Sequence, residues 1–128
     1  MSTTPTLAEA LAGRPDLRAG IERLFAVVED GRFDPEILDL CHRRVATLLR
    51  CPNHAAPVPR REQLSERQLA CMDFAESFVL DHHAITDEQA AAVTRHLSDA
   101  EMVVLTTALA IYDGFCRFER TLLPTERS

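Results

Sequence analysis

The stretch LLRCPNH at residues 48–54 places a thiol, Cys51, three residues before an imidazole, His54. A cysteine at the end of a helix with a base nearby can serve as a reactive thiolate, and the same spacing suits two ligands of a zinc site. No second Cys-x-x-Cys or His-x-x-His pair supplies further ligands. The pair therefore admits four interpretations: a redox thiol, a general-base pair, part of a metal site, or a turn with an inert cysteine and a surface histidine.

Two further groups of residues have types and spacing that suit chemistry. Asp39 and His42 lie one helical turn apart, so the carboxylate can orient the imidazole as a general base; a solvated helix face is the alternative. Asp113, Cys116 and Arg117 follow an eleven-residue apolar run. Because buried charge is costly unless it is paired, the structural alternative is that Arg117 pairs with an acid such as Asp39 or Asp113.

The remaining histidines and cysteines favour structural interpretations. His82 and His83 are adjacent in the chain and point in different directions, so we interpret them as loop histidines rather than as joint metal ligands. Cys41 and Cys71 lie on or beside apolar helical stripes, as core cysteines do. We therefore expect no metal site and no cofactor.

Helices must position all of these side chains, because apolar residues recur at helical spacing and only 4 glycines interrupt them. The sequence predicts an all-α, single-domain bundle of about five or six helices. Their starts are marked by Pro15, by Asp34 with Pro35, and by capping boxes that begin at Ser65, Thr86 and Ser98, and the last three helices are predicted to end near Leu80, Leu97 and Leu122.

The last predicted helix contains the run MVVLTTALAIY at residues 102–112, which is apolar or small at nearly every position. A helix that is apolar all round must be buried all round. A domain of this size can hardly enclose one completely, so the helix is either central or part of a subunit interface. We expect a homo-oligomer.

Composition limits the class of protein. The 128 residues predict one domain, and the net charge of −6 without a basic patch gives no electrostatic footprint for nucleic acid. No apolar run reaches the roughly 18 residues of a membrane span, and the N-terminus lacks the basic and apolar regions of a signal peptide. We therefore expect a cytoplasmic protein with free thiols and no membrane partner.

Several segments together resemble the carboxymuconolactone decarboxylase family, which includes the alkyl hydroperoxidase D type. In that family an acidic residue precedes the first Cys of a Cys-x-x-Cys by twelve positions, as Asp39 precedes Cys51 here, and RVATL at residues 44–48 matches its R-x-A-x-L pattern. The segments at 74–87, 97–106 and 110–118 also resemble family motifs in order and spacing. The resemblance implies a helical core over residues 34–123, preceded by a segment over 1–33 with one packing helix and followed by a tail over 124–128.

The chain departs from the family pattern at its redox motif. His54 stands where hydroperoxidase members carry the second cysteine, and Val58 stands at the later histidine position. A Pro-rich link replaces the helix that normally follows. Two thiols are needed to reduce a peroxide and close a disulfide, and Cys41 lies ten residues from Cys51, about 15 Å along a helix. Cys116 can substitute if the last helix packs beside Cys51.

The resemblance implies a small-molecule substrate and leaves three functions open. In a decarboxylase, lyase or isomerase, Asp39, His42 or His54 would move a proton on a small organic acid, and Arg44, Asp113 and Arg117 would form the substrate-binding side. In a thiol peroxidase, Cys51 would be oxidised, His54 or Asp39 would shuttle the proton, and Cys116 or an external thiol would resolve the product. The third function is a non-catalytic oligomeric binding protein.

Overall fold

Five α-helices make up the architecture of the computed structural model, which describes Glu9, residues 11–51 and residues 57–122. We number the helices from α1 to α5, and two single 3₁₀ turns precede and follow α3. The described residues contain no strand, which confirms the predicted all-α class. The helices are α1 (Pro15–Val28), α2 (Pro35–Leu48), α3 (Glu66–Leu80), α4 (Asp87–Thr94) and α5 (Asp99–Leu122), and the 3₁₀ turns are Arg61–Gln63 and His82–Ala84.

Side-chain caps fix the starts of these helices where the sequence predicts them. The Asp34 carboxylate accepts a hydrogen bond from the Glu36 amide at 2.9 Å, ahead of Pro35 in the first turn of α2. Ser65 and Thr86 begin capping boxes at α3 and α4, and Ser98 exchanges hydrogen bonds with Glu101 at the start of α5. Each cap satisfies amides that the helix itself leaves without an acceptor.

Helix α4 ends at Thr94 rather than near Leu97, so its predicted length was wrong by about one turn. Leu97 is buried in the core even though it lies outside the helix. The carbonyl of His96 just before it accepts a hydrogen bond from Arg67 Nε at 3.3 Å. Leu97 therefore fits the helical spacing, but it reaches the core from the turn between α4 and α5.

The core forms where α2 packs against α3 on one side and α5 on the other. Helix α5 contributes a buried stripe at positions 105, 109, 112, 116 and 119, which recur every three or four residues. Such spacing keeps side chains on one helix face. The largest fully buried side chains are Tyr112, Phe33, Ile37, Leu38, Leu105, Leu109, Val45, Val93, Cys41, Cys71 and Cys116.

Arg67 at the start of α3 connects four parts of the chain. Its guanidinium lies 3.3 Å from Asp34 Oδ2 before α2 and 2.8 Å from Glu101 Oε2 on α5. It also donates to the carbonyl of His96 and lies over the Phe33 ring, 5.4 Å from the centroid. A planar guanidinium can serve several acceptors in fixed directions, so this side chain sets the spacing between α2, α3 and α5.

The opposite face of α5 is exposed within a single chain. Val103 is 65% exposed, and Thr107, Ala110 and Gly114 on the same face are exposed as well. The apolar run is therefore not enclosed all round by its own chain, and a subunit interface remains the prediction for this face. Among the described residues, no helix combines the length and apolar character needed to cross a bilayer.

A Schellman motif ends α2 and turns the chain toward Cys51. The Cys51 amide donates to the Ala46 carbonyl at 2.8 Å and the Arg50 amide donates to the Thr47 carbonyl at 3.3 Å, the two hydrogen bonds that define this motif. Arg50 occupies the left-handed position with φ of 54°. Glycine is usual there, because a Cβ atom is disfavoured in that conformation.

Replacing Arg50 with glycine should stabilise the fold. We expect Arg50→Gly to raise the free energy of unfolding by about 1 kcal/mol, because the left-handed backbone no longer opposes a Cβ atom. Arg60→Gly is the matched control, since Arg60 has a φ of −67° and gains no such relief. Urea unfolding of both variants measures the effect, and a loss of stability in Arg50→Gly would show that the Arg50 side chain itself stabilises the turn.

The buried thiols of α2 and α3 should make stability fall at high pH. Burial raises the pKa of Cys71 from 9.0 to about 11, and burial together with Cys71 raises the pKa of Cys41 still further. Above about pH 9 the unfolded chain loses thiol protons that the folded chain keeps, so stability decreases as the pH rises toward 11, by up to about 1.4 kcal/mol per pH unit for each group.

Urea midpoints of the reduced protein at about pH 8 and about pH 10.5 measure this decrease. The Cys71→Ala variant should lose less stability over the same interval, because one of the linked protons is then absent. Equal midpoints at the two pH values would contradict the assignment of these thiols as protonated core groups.

Candidate functional site

Cys51 is the last residue of the Schellman motif that ends α2, and its side chain is directed inward. It is only 3% exposed and belongs to the hydrophobic core cluster. Its amide is held by the Ala46 carbonyl, so the backbone that carries the thiol is fixed by the helix it follows. The turn at the end of α2 thus positions the Cys51 thiol beside α5.

The buried stripe of α5 places a second thiol and a carboxylate next to the Cys51 thiol. The Cys51 thiol donates a hydrogen bond to Glu119 Oε2, with Sγ and Oε2 3.4 Å apart. Cys116 lies close enough to Cys51 for the two thiols to interact electrostatically. Cys116 is 2% exposed and Glu119 is 4% exposed, so all three groups lie out of bulk water. We call Cys51, Cys116 and Glu119 the thiol–carboxylate site.

The charge of Glu119 distinguishes this site from the rest of the core. Among the described residues, Glu119 is the one polar or charged side chain that is classed with the buried residues. A carboxylate removed from water must be compensated by hydrogen-bond donors, and the Cys51 thiol is one such donor. A hydrogen bond from a thiol to a charged acceptor is stronger than one between neutral groups.

The two thiols have different roles in the hydrogen bonding. Burial, and next the neighbouring Cys51, raise the pKa of Cys116 well above its ordinary value; a hydrogen bond to Cys51 and the acids Glu119 and Asp113 add to this effect. Cys116 is therefore a protonated thiol beside Cys51, and the Cys51 thiol donates to Glu119. This arrangement makes Cys51 the thiol from which the carboxylate can accept a proton directly.

Arg120 borders the site on the solvent side. Its Nη1 atom donates to the carbonyl of Leu49 at 3.1 Å and to that of Arg50 at 3.4 Å. These carbonyls belong to the turn that carries Cys51. One α5 residue therefore binds the end of α2 directly beside the thiol–carboxylate site.

Asp39 and His42 each have a contact of their own with a neighbouring side chain. Asp39 is 64% exposed, and its Oδ2 atom lies 3.0 Å from Arg43 Nε. The His42 ring stacks on Tyr112 with the centroids 4.0 Å apart and the planes 5° apart. The Tyr112 hydroxyl donates to Glu29 Oε2 at 3.0 Å, and burial is the main cause that raises the pKa of Tyr112.

The candidate substrate-binding residues are engaged with other parts of the protein. Arg44 Nε lies 2.7 Å from Glu76 Oε1 on α3. Arg117 Nε lies 2.8 Å from Asp113 Oδ1 one turn earlier, as the structural alternative predicts, and its Nη2 donates to the Val79 carbonyl at 3.1 Å. Both guanidinium groups therefore already bind carboxylates of this chain.

The other sequence candidates divide between the core and the surface. Cys41 and Cys71 are fully buried, whereas His82 and His83 are exposed in the 3₁₀ turn after α3. His54 lies outside the described residues, so its predicted partnership with Cys51 stays a prediction. Within residues 11–51 and 57–122, no group of three His, Cys, Asp or Glu side chains is placed to hold a metal ion.

Glu119 and Arg120 are the residues that the sequence analysis missed. The signal for Glu119 was present, because continuing the α5 stripe from Tyr112 through Cys116 by three residues reaches position 119. A glutamate near the end of an apolar helix is ordinarily interpreted as solvent-exposed. No comparable signal exists for Arg120, since its acceptors lie about seventy residues away along the chain.

Comparison with protein-family models and with curated proteins gave no match for this chain. The resemblance to the carboxymuconolactone decarboxylase family therefore stays a prediction from the quoted motifs.

Proposed function

We propose that this protein is a thiol-dependent peroxidase in which Cys51 attacks the peroxide and Cys116 resolves the product. One observation carries the proposal: the buried Cys51 thiol contacts both a second thiol and a carboxylate. A peroxidase of this kind needs a proton acceptor for the attacking thiol and a neighbouring thiol to close a disulfide. The thiol–carboxylate site contains both groups, with the carboxylate 3.4 Å from the Cys51 sulfur.

In the first half of the proposed reaction, Glu119 accepts the thiol proton of Cys51. The resulting thiolate attacks one oxygen of the hydroperoxide, and the O–O bond breaks as the S–O bond forms. The other oxygen leaves and takes up the proton, which yields an alcohol or water. Cys51 is oxidised to a sulfenic acid and the hydroperoxide is reduced.

In the second half, the sulfur of Cys116 attacks the sulfenic sulfur of Cys51. An S–S bond forms, and the sulfenic hydroxyl leaves as water with the proton of Cys116. Since the thiol of Cys116 is held protonated by burial and by Cys51, a base is needed at this step, and Glu119 is adjacent to both sulfurs. An external thiol reductant then returns the disulfide to two thiols.

The family resemblance supports the same assignment. Cys51 stands at the position of the first motif cysteine, and the motif lacks its second cysteine because His54 replaces it. Cys116, brought from α5, supplies the thiol that the local motif lacks. We also propose on this ground that the helical bundle is of the alkyl hydroperoxidase D-like type.

The geometry gives less support to acid–base chemistry on an organic acid. Asp39 pairs with Arg43, Arg44 pairs with Glu76, and Arg117 pairs with Asp113. These candidates therefore serve three separate ion pairs rather than converging on one pocket. The lyase interpretation stays a prediction without a shared site among the described residues.

Reaction with hydrogen peroxide and with an organic hydroperoxide, followed by intact mass and thiol counting, tests the proposal. The native protein should lose two hydrogens as the disulfide between Cys51 and Cys116 forms. Cys116→Ser should gain one oxygen at Cys51, which dimedone then traps, and Cys51→Ser should not react rapidly. Cys71→Ser, altered in the core away from the site, should behave like the native protein.

Glu119→Gln tests the proton acceptor separately. The amide keeps a hydrogen-bond acceptor near Cys51 but removes the basic carboxylate, so oxidation of Cys51 should slow by about a hundredfold. Glu88→Gln on the exposed face of α4 is the matched control. Oxidation of the native protein no faster than that of a free thiol would overturn the peroxidase and favour a non-catalytic binding protein.

We further propose that the exposed face of α5 forms a homo-oligomer interface with a second copy of the chain. Its exposed positions recur at 100, 103, 107, 110, 114 and 117, and no charged residue occurs over residues 102–112. In an antiparallel pair, the exposed Val103 of one copy would face the open space above Gly114 of the other. The acidic start of the helix at Asp99 would then face Arg117 at its end.

Sedimentation at micromolar concentration should therefore show a dimer or larger assembly. Val103→Glu should shift the protein toward monomer, because a charge would be buried without a partner. Val27→Glu, at an exposed valine on α1, is the matched control and should leave the assembly unchanged. A native protein that sediments as a monomer would exclude this interface.

A further inference from the structure

We propose that Arg120 is a positioning residue that holds the end of α2 against α5 and thereby sets the effective concentration of Cys116 at Cys51. The inference rests on the proposed pairing of these two cysteines, and it assigns a role to a surface residue outside that pair. Its basis is the pair of hydrogen bonds from Arg120 Nη1 to the carbonyls of Leu49 and Arg50.

The end of α2 presents carbonyls that its own turn leaves unsatisfied. The Schellman motif uses the carbonyls of Ala46 and Thr47. Two carbonyls further along the turn, those of Leu49 and Arg50, accept hydrogen bonds from Arg120 at 3.1 and 3.4 Å. A cation near a helix C-terminus is also favoured by the helix dipole, so charge and hydrogen bonding act in the same direction.

Arg120 lies on the same short stretch of α5 as the reactive groups. It follows Glu119 directly and comes four residues after Cys116, one helical turn away. Cys51 follows Arg50 directly, and the Arg50 carbonyl is an Arg120 acceptor. The contact therefore connects the peptide beside one thiol with the helical turn that carries the other.

The two halves of the proposed reaction depend on this contact differently. Attack of Cys51 on a peroxide needs Glu119 but not the sulfur of Cys116. Closure of the disulfide needs the two sulfurs held together, and its equilibrium constant reports their effective concentration. Loss of Arg120 should therefore lower disulfide formation while leaving the first oxidation of Cys51 nearly unchanged.

Equilibration with a glutathione redox buffer measures the effective concentration without any peroxide. One oxidised glutathione is reduced to two glutathione thiols as Cys51 and Cys116 lose two hydrogens and form their disulfide. We expect Arg120→Ala to lower this equilibrium constant about tenfold, as the loss of about 1.4 kcal/mol would. Arg120→Lys should recover part of the effect, because an ammonium can still donate to one carbonyl.

Arg95→Ala provides the matched control. Arg95, directly after α4, is an exposed arginine that also donates to a helix carbonyl, that of Ala91 at 3.3 Å, but only four residues away along the chain. Its removal should leave the glutathione equilibrium within twofold of the native value. Urea unfolding of all variants shows whether any change in the equilibrium merely follows a change in global stability.

A second measurement separates positioning from a general structural role. On mixing with hydrogen peroxide, Arg120→Ala should form the Cys51 sulfenic acid at the native rate but convert it to the disulfide about tenfold more slowly, so that more is trapped by dimedone. An unchanged glutathione equilibrium in Arg120→Ala would overturn this inference alone. Ready disulfide formation with glutathione but no fast reaction with peroxide would overturn the peroxidase and leave the role of Arg120 intact.

Discussion

The carboxylate of Glu119 imposes the constraint on which the thiol–carboxylate site depends. A charged group at 4% exposure is tolerated only where donors replace the water it has lost. The Cys51 thiol supplies one such donor. The Cys116 thiol lies beside Cys51 and interacts with it. The α2 turn and the α5 stripe must therefore meet in one register, since a slip of one residue on α5 would direct the carboxylate away from Cys51.

Arginine is the only basic side chain other than histidine in this sequence, because all 14 Lys and Arg positions are arginine. The structure uses the guanidinium fork in a way that an ammonium cannot reproduce. Arg67 serves two carboxylates, a carbonyl and an aromatic ring, and Arg117 serves Asp113 together with the Val79 carbonyl. Several helix ends and connections are thus bound to neighbouring helices by bidentate or shared contacts.

Local rules predicted the helix starts well, because caps act over three or four residues. Asp34, Ser65 and Thr86 have the contacts that their spacing indicates. The end of α4 was wrong because an apolar residue, Leu97, is buried by a turn rather than by a helix. Side-chain periodicity alone does not distinguish these two ways of reaching the core.

The site itself was predictable only in part, since its members come from distant parts of the chain. Cys51 and Cys116 were identified from residue type, and the prediction that Cys116 could act with Cys51 depended on the last helix packing beside Cys51. Glu119 was missed because a lone glutamate is ordinarily exposed. Asp39 has an ion pair with Arg43, four residues along its helix, a contact that helical spacing permits as readily as one with His42.

The contact between Cys51 and Cys116 encloses a loop of the chain that contains all of α3 and α4. A covalent bond at that point would tie this loop, about 65 residues long, in the unfolded chain as well as in the folded one. By chain-entropy arguments such a tie favours the folded state by about 4 kcal/mol. In the proposed cycle, the protein would therefore be degraded more slowly by proteases whenever oxidant exceeds reductant. The amount of this protein in the cell would then depend on how oxidising the preceding conditions had been.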